Sequence, residues 1–356
     1  MEQNKLDYMA TNHFESKVVS GPEGFNYLRD YITRNQFERV VVVLDQNTEK
    51  HCLPSFLEYF SSDFFAHFYV LPQGESAKTM DSVLGFLSFL SNLDTPVNSL
   101  LISVGGGAIS DVCGFVASIY KRGLKVAHVP TSLIGMTDAA YGGKTGVNFL
   151  NVKNLVGTFY FPDLILLHHR FLKTLPSDHL QSGYGEMLKY ALLIGSDAMD
   201  QILWIIEQNQ IPEDALIQRC LDYKKQVVAI DPFDKKERYF LNLGHTLGHA
   251  FESAYMVAGV PVTHGWAVAR GIYVALSVSV DLCGFPPDTA SKIKEMIQRN
   301  FSNHHLPALS LDSLPAFLKQ DKKNNGKGHR MVLLKEIGEP LIVDNISTDF
   351  IMKALS

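Results

Sequence analysis

Leu100-Leu101-Ile102-Ser103-Val104-Gly105-Gly106-Gly107-Ala108-Ile109-Ser110-Asp111 is an apolar run that ends on three glycines and opens into a stretch rich in small residues as far as Ala117. A run of that length bounded by glycine suits a strand buried on both faces, and the residues beyond it suit a helix. Such a turn aims backbone N–H groups and a helix N-terminus at one point, a cradle for phosphate or pyrophosphate. The loop is not GxGxxG, because Gly107 is followed by Ala108, Ile109 and Ser110, and a tight strand-to-helix turn reads equally well. Working outward, Lys17-Val18-Val19, residues 40–45, 68–71, 126–129 and 164–167 are further short β-rich runs, with helical periodicity between several of them, as in 80–93. This alternation predicts a doubly wound, Rossmann-like α/β domain over residues 1–175.

From Pro176 the pattern changes to long helical periodicity, with candidate helices at 186–208, 213–231, 241–258, 265–282 and 289–300, and a β-rich run only at Arg330-Met331-Val332-Leu333-Leu334. The expectation is an all-α domain over residues 176–356 and an active site in the interdomain cleft. The length of 356 residues suits two cores. A net charge of −5, from 32 basic and 37 acidic residues, argues against a nucleic-acid or anionic-membrane partner. A small anionic substrate would need a local cluster of cations. The four cysteines form no CxxC pair, which fits a reducing cytoplasm, and the N-terminus lacks the layout of a signal peptide. The apolar run 266–280 is shorter than a membrane span and contains Arg270, so it reads as a core helix.

Three stretches could carry chemistry. In Asn242-Leu243-Gly244-His245-Thr246-Leu247-Gly248-His249, continuing to His264, the first two histidines are four apart and share a helix face, which Gly244 and Gly248 would leave open to something bulky. In Gly185-Glu186-Met187-Leu188-Lys189, a carboxylate and an ammonium three apart lie in apolar sequence; a surface ion pair is the plainer reading. Glu186, His245 and His264 together make a one-carboxylate, two-histidine set suited to zinc with a position open to substrate. The third stretch, Asp138 to Gly146, resembles a Walker loop at Gly143-Lys144-Thr145 but has Asp138 where that loop needs glycine. Lys144 is instead placed to contact an oxyanion, with Lys153 and Asn154 adding a cation and an amide. Asp45 and Glu75, each just after a strand, suit ribose hydroxyls or, singly, helix capping.

These pieces occur in a particular order: Gly105-Gly106-Gly107 with Asp111, Lys121-Arg122-Gly123, Pro130-Thr131-Ser132, Asp138 to Gly146, Lys153-Asn154, Phe171 to Pro176, Glu186 to Lys189, Leu241 to His249, His264-Gly265 and Asp321-Lys322-Lys323-Asn324. The series resembles the dehydroquinate synthases over residues 40–340. The resemblance implies NAD and a divalent metal, zinc or alternatively cobalt, and conversion of 3-deoxy-D-arabino-heptulosonate 7-phosphate into 3-dehydroquinate and phosphate. It implies Glu186, His245 and His264 as metal ligands. NAD would be bound by Asp45, Asn47, Glu75, Lys78, Gly106, Gly107, Asp111, Thr131, Ser132, Lys144, Lys153, Phe171 and Thr174. Lys144, Lys153, Asn154, Lys224, Arg238, Asn242 and Lys322 would hold substrate, Asp138, Lys144, Lys189 and His249 would serve catalysis, and Arg122 would reach the substrate of the other protomer of a homodimer. Ser110, Ser132, Tyr141 and Tyr184-Gly185 depart from the commoner pattern without removing a ligand. The rival readings are a cyclase making a cyclitol from another sugar phosphate, a metal-dependent polyol dehydrogenase, and an NAD- or metal-responsive binding module.

Overall fold

The β-rich runs become the strands of one parallel sheet. The computed structural model describes residues 15–62, 64–150, 152–302, 314–319 and 328–355. In it β1 (Lys17–Ser20), β2 (Arg39–Asp45), β3 (His67–Leu71), β4 (Ser99–Gly105) and β5 (Lys125–Pro130) are followed by a separate hairpin, β6 (Lys144–Phe149) and β7 (Val152–Phe159), and then by β8 (Leu164–Leu167). The sheet order is β1-β8-β5-β4-β2-β3, with every pairing parallel. The chain moves outward from β2 to β3, then crosses back to β4 and on to β5. The carboxyl ends of β2 and β4 therefore flank the topological switch, where open α/β sheets bind ligands. Asp45 ends β2, and Gly105 ends β4.

Helices α1 (Gly21–Asn35), α2 (Gln46–His51), α3 (Leu53–Leu57), α4 (Met80–Asn92) and α5 (Gly107–Ile119) link these strands. Val41 to Leu44 and Leu100 to Ile102 are fully buried, as expected of central parallel strands, each such side chain contributing about 1.5–3 kcal/mol. The stretch read as a glycine-rich loop is half turn, Gly135–Ala139, and half strand, β6. Thr145 and Val147 are buried while Lys144, on the opposite face of the hairpin, is exposed.

The chain forms two compact units, one of Met1–Leu175 with Pro212–Phe233 and the other of Pro176–Ile211 with Asp234–Ser356. It enters the second with α6 (Ser177–Ile194) and α7 (Ser196–Glu207), returns to the first with α8 (Asp214–Ile230), and completes the second with α9 (His245–Val257), α10 (His264–Cys283), α11 (Pro287–Asn300), α12 (Leu314–Lys319), β9 (His329–Glu336), β10 (Glu339–Ile346) and α13 (Thr348–Leu355). The periodic segment 186–208 is two helices, because Gly195 at φ 119° interrupts it. Among the described residues the second unit is helical apart from the antiparallel β9–β10 hairpin, and the Arg330–Leu334 run supplies only its first strand. Lys322, with its neighbours Lys323 and Asn324, lies outside the described residues.

Glycines set how closely the helices of the second unit cross. A Cβ on Gly185 of α6 would overlap the Gly265 carbonyl, and one on Gly265 of α10 would overlap the Ser182 carbonyl. The Gly265 N–H, an orphan donor at the start of α10, is satisfied by Ser182 Oγ at 2.9 Å. Gly271 of α10 meets the Gly244 carbonyl just before α9, and Gly248 faces Ala267. The glycines at 244 and 248 thus seat one helix on another and do not open a face to a bulky group. α10 passes the length and hydropathy test for a membrane span, but Ala267, Val268, Ala269 and Ile272 are fully buried inside the unit.

Two expectations follow. Gly265→Ala should destabilise by more than about 3 kcal/mol, since the helices must part, whereas alanine for glycine in an open helix gains about 0.5–1 kcal/mol; a change in denaturant unfolding below 1 kcal/mol would refute the crossing. The second concerns His128 on β5, which is 3% exposed, lies 2.7 Å by its Nδ1 from Ser103 Oγ, and is pushed down to about 3 by burial. The unfolded chain takes up this proton near 6.5 and the folded chain refuses it until about 3, so the stability is whole above pH 6.5 and is lost as pH falls. The slope is at most about 1.4 kcal/mol per pH unit. His128→Asn should flatten the fall in stability between pH 6 and 4, and an unaltered slope counts against it.

Candidate metal centre and flanking groups

Glu186 sits on the buried face of α6 with 1% of its side chain exposed, as does Lys189 one turn on. The Lys189 Nζ lies 2.5 Å from Oε2 of Glu186, and Nε2 of His245 and of His264 lie 3.4 and 3.0 Å from Oε1. Burial alone would raise the Glu186 carboxyl, but the Lys189 ammonium and the imidazoles overcome it and hold the group well below the usual carboxylate range. Among the described residues neither oxygen receives a well-directed hydrogen bond, although three nitrogens crowd it. The two imidazoles and the carboxylate stand as co-ligands do around a common centre. Ligands about 2.0–2.1 Å from a tetrahedral zinc are about 3.4 Å from one another, close to what is found here.

The far sides of the rings fit the same arrangement. Nδ1 of His245 lies 3.1 Å from the Leu243 carbonyl, and Nδ1 of His264 lies 3.0 Å from Oε2 of Glu252. Each contact takes an Nδ1–H donor and turns Nε2 toward Glu186, the orientation a ligand needs. Burial lowers His245, so it is neutral and ready to ligate. Burial acts on His264 in the same direction, but Glu186 and Glu252 outweigh it and raise the ring to about 10. The field of two carboxylates that keeps a proton there also favours a divalent cation. His249 stands at the exposed edge, its ring 5.5 Å from that of His245 and 6.0 Å from that of His264. Arg238, buried, and Asn242, whose Nδ2 donates to the Tyr239 carbonyl, share the turn Glu237–Asn242 before α9.

The first unit gathers a different set at the carboxyl ends of its strands. Gly106 caps α5, and the Thr131 N–H donates to the Gly105 carbonyl. A Cβ on Gly106 would come within 3.2 Å of Ser132 Oγ, and one on Gly107 within 3.0 Å of the Ala139 Cβ, so the triple glycine leaves backbone exposed where a side chain would crowd. Lys78 Nζ donates both to Asp111 Oδ2 and to Asn154 Oδ1. Burial pushes the Asp111 carboxyl up to about 6, opposed by Lys78. Asn148 joins this set by donating to Glu75 Oε1 at 2.7 Å. Asp45 caps α2, accepting from Thr48 N at 2.8 Å and from Gly74 N at 3.4 Å, and Asn47, the second residue of that helix, is exposed. Lys224 on α8 reaches Asp138, with Nζ 2.7 Å from its carbonyl and 3.1 Å from Oδ1. Lys144 lines a recess with Asp111, Ala139 and Gly143, while Lys153 and Arg122 are exposed. Phe171 is 3% exposed within an aromatic cluster, and Thr174 donates to its carbonyl.

The structure therefore brings Glu186, Lys189, His245, His249 and His264 together in one unit, and Lys78, Asp111 and Asn154, with Asp138 and Lys224, in the other. Sequence reasoning missed Glu252 and Asn148. Glu252 follows His245 by seven residues, two helical turns on the same face, and that spacing was the available signal. Asn148 carries no such signal, because the β6–β7 hairpin alone aims it at Glu75.

Two family models match the chain, 3-dehydroquinate synthase N-terminal over residues 68–182 and 3-dehydroquinate synthase C-terminal over residues 183–324. A 3-dehydroquinate synthase of Parabacteroides distasonis is 34% identical over 343 residues, covering 96% of this chain and 97% of its own. Among solved structures, 2-epi-5-epi-valiolone synthase from Streptomyces hygroscopicus, with NAD+ and Zn2+ bound, superposes with a TM-score of 0.82 at 25% identity over 96% of both chains. A 2-deoxy-scyllo-inosose synthase complexed with carbaglucose-6-phosphate, NAD+ and Co2+ gives 0.81 at 24% identity over 95% of both chains. The fold is thus that of the sugar-phosphate cyclases, and on sequence this chain belongs to the 3-dehydroquinate synthase family.

Proposed function

We propose that this chain converts 3-deoxy-D-arabino-heptulosonate 7-phosphate into 3-dehydroquinate and phosphate, and the observation that carries the reading is the buried Glu186 facing His245 and His264 with Lys189 beside it. Glu186, His245 and His264 would hold a divalent ion, zinc or cobalt, which would supply a Lewis acid to acidify a substrate hydroxyl, and NAD would supply the acceptor and later the donor of one hydride, so that no NADH would accumulate over a cycle.

The chain's own groups account for the rest. Oxidation of the hydroxyl-bearing carbon makes the neighbouring C–H acidic; that proton leaves, the C–O bond to phosphate breaks, and phosphate departs with the electron pair. His249, at the exposed edge of the imidazole cluster, is positioned to relay the hydroxyl proton, and Lys189 holds a fixed positive charge against Glu186. The substrate carries a phosphate and a carboxylate, and the molecule as a whole is negative, so both anions need local cations. Arg238 offers a forked contact for a carboxylate, and Lys144, Lys153 and Lys224, with Asn154, offer point contacts for phosphate. Lys322 belongs to this reading as a further phosphate contact. The glycine turn with Thr131 and Ser132 would receive the dinucleotide, with Asp45, Asn47, Glu75, Lys78, Asp111, Phe171 and Thr174 around it. Reduction of the new carbonyl, ring opening and aldol closure need no further protein nucleophile.

We place the protein in the cytoplasm as a homodimer. All four cysteines are free, and exposed Arg122, at φ 69°, is the residue assigned to the partner protomer's substrate.

Purified protein given NAD, zinc and the heptulosonate ester should release inorganic phosphate with no net rise in absorbance at the NADH wavelength. Net NADH would mean a polyol dehydrogenase, and turnover only of a different sugar phosphate would mean a cyclitol-forming cyclase. Glu186→Gln, close in shape to the native residue, should cut phosphate release by at least about a hundredfold with the far-UV dichroism unchanged; near-native turnover would remove the metal centre from the mechanism.

A further inference from the structure

We infer a second divalent-cation site, distinct in every residue from the first, formed by His168, His169 and Asp214. His168 follows the last residue of β8, His169 opens the turn His169–Thr174, and Asp214 is the first residue of α8. All three belong to the first unit. Two imidazole nitrogens and one carboxylate oxygen lie within 4.8 Å of one another. Nδ1 of His169 is 3.1 Å from Asp214 Oδ1 and Nδ1 of His168 is 3.8 Å from Oδ2, separations that bracket the ligand-to-ligand distance of about 3.4 Å around a tetrahedral zinc.

The second observation concerns His168 itself. The residue is 3% exposed, its ring set edge-on against Phe25, Tyr59 and Phe171. Nε2 lies 3.0 Å from the Tyr59 hydroxyl, an outer contact of the kind that orients a metal-bound imidazole. Its Nδ1 is buried, has no hydrogen-bond partner among the described residues, and is aimed at the Asp214 carboxylate; Nδ1 of His169 is likewise buried and without such a partner. An orphaned buried imidazole nitrogen carries an uncompensated desolvation cost, which a bound cation would offset. Oδ1 of Asp214 also accepts the His169 N–H at 2.7 Å, which fixes the carboxylate. The His169 and Asp214 side chains are 34% and 20% exposed, which gives an ion an entry path and room for water as further ligands.

A donor set of two imidazoles and one carboxylate suits zinc, cobalt or nickel more than magnesium or calcium. The ion would tie the end of β8 to the start of α8, a helix that enters this unit from a distant part of the chain and carries Lys224 to Asp138. A proton on His168 could serve the same carboxylate, and a metal count separates the two.

Tag-free protein stripped with chelator, dialysed against zinc and measured by elemental analysis should hold two equivalents per chain. His169→Ala should hold one, Glu186→Gln/His264→Ala should hold one, and the triple variant none, with dichroism checking that each is folded. Wild-type protein holding one equivalent that His169→Ala retains would overturn the site, as would two equivalents undiminished in His169→Ala. Because Glu186→Gln/His264→Ala leaves all three residues of the proposed site in place, that variant folded and holding no metal would also overturn it, so the test survives a misfolded His169→Ala, and it reads metal content independently of any turnover.

Discussion

The close crossing of α6 and α10 is the contact on which the candidate metal centre depends. Gly185 and Gly265 let the two backbones approach to a distance that a single Cβ would forbid, and the residues immediately after and before them are Glu186 and His264. A second crossing through Gly244, Gly248 and Gly271 seats α9 on the same helix and brings in His245. The side chains of Glu186, His245 and His264, on three helices, converge where those helices are pressed closest. The glycines thus act on the site through packing, by letting the backbones approach.

That geometry creates an electrostatic demand. A carboxylate with 1% exposure has lost its hydration, and the loss is tolerable only beside compensating charge. Lys189 supplies one charge from the same helix, but two imidazoles and a second carboxylate, Glu252, leave room for more positive charge than one ammonium provides. The outer contacts to Leu243 and Glu252 then determine which ring nitrogen faces inward. Position, protonation and tautomer are set by different parts of the unit, and all three favour a cation.

The first unit meets a different need. Its strand order places the ends of β2 and β4 side by side, so a carboxylate and a bare glycine turn emerge together. Asp45 shows how the two readings of such a carboxylate combine: Oδ1 caps α2, and the cap holds the side chain in place at the switch point. Lys78, with 6% of its side chain exposed, is shared between Asp111 and Asn154. The shared contact fixes the spacing of an acid and an amide that lie far apart in sequence.

Much of this was legible in the chain itself. β-Branched apolar runs such as Val40 to Leu44 suit central strands, because their side chains need cover on both faces, and the His245/His249 spacing marks one helix face by the 3.6-residue period alone. The ordered series of short motifs identified the family without any coordinates. Other features depended on contacts between distant segments. Helical periodicity could not show that Gly195 divides a helix, that α8 belongs with the first unit, or that Gly244 and Gly248 are pressed into a neighbouring helix. Nor could it pair Glu252 with His264, or Asp214 with two histidines some 45 residues away. Local periodicity records which face of an element is apolar; what that face meets, and which buried nitrogen is left facing a carboxylate, is decided only when the elements pack.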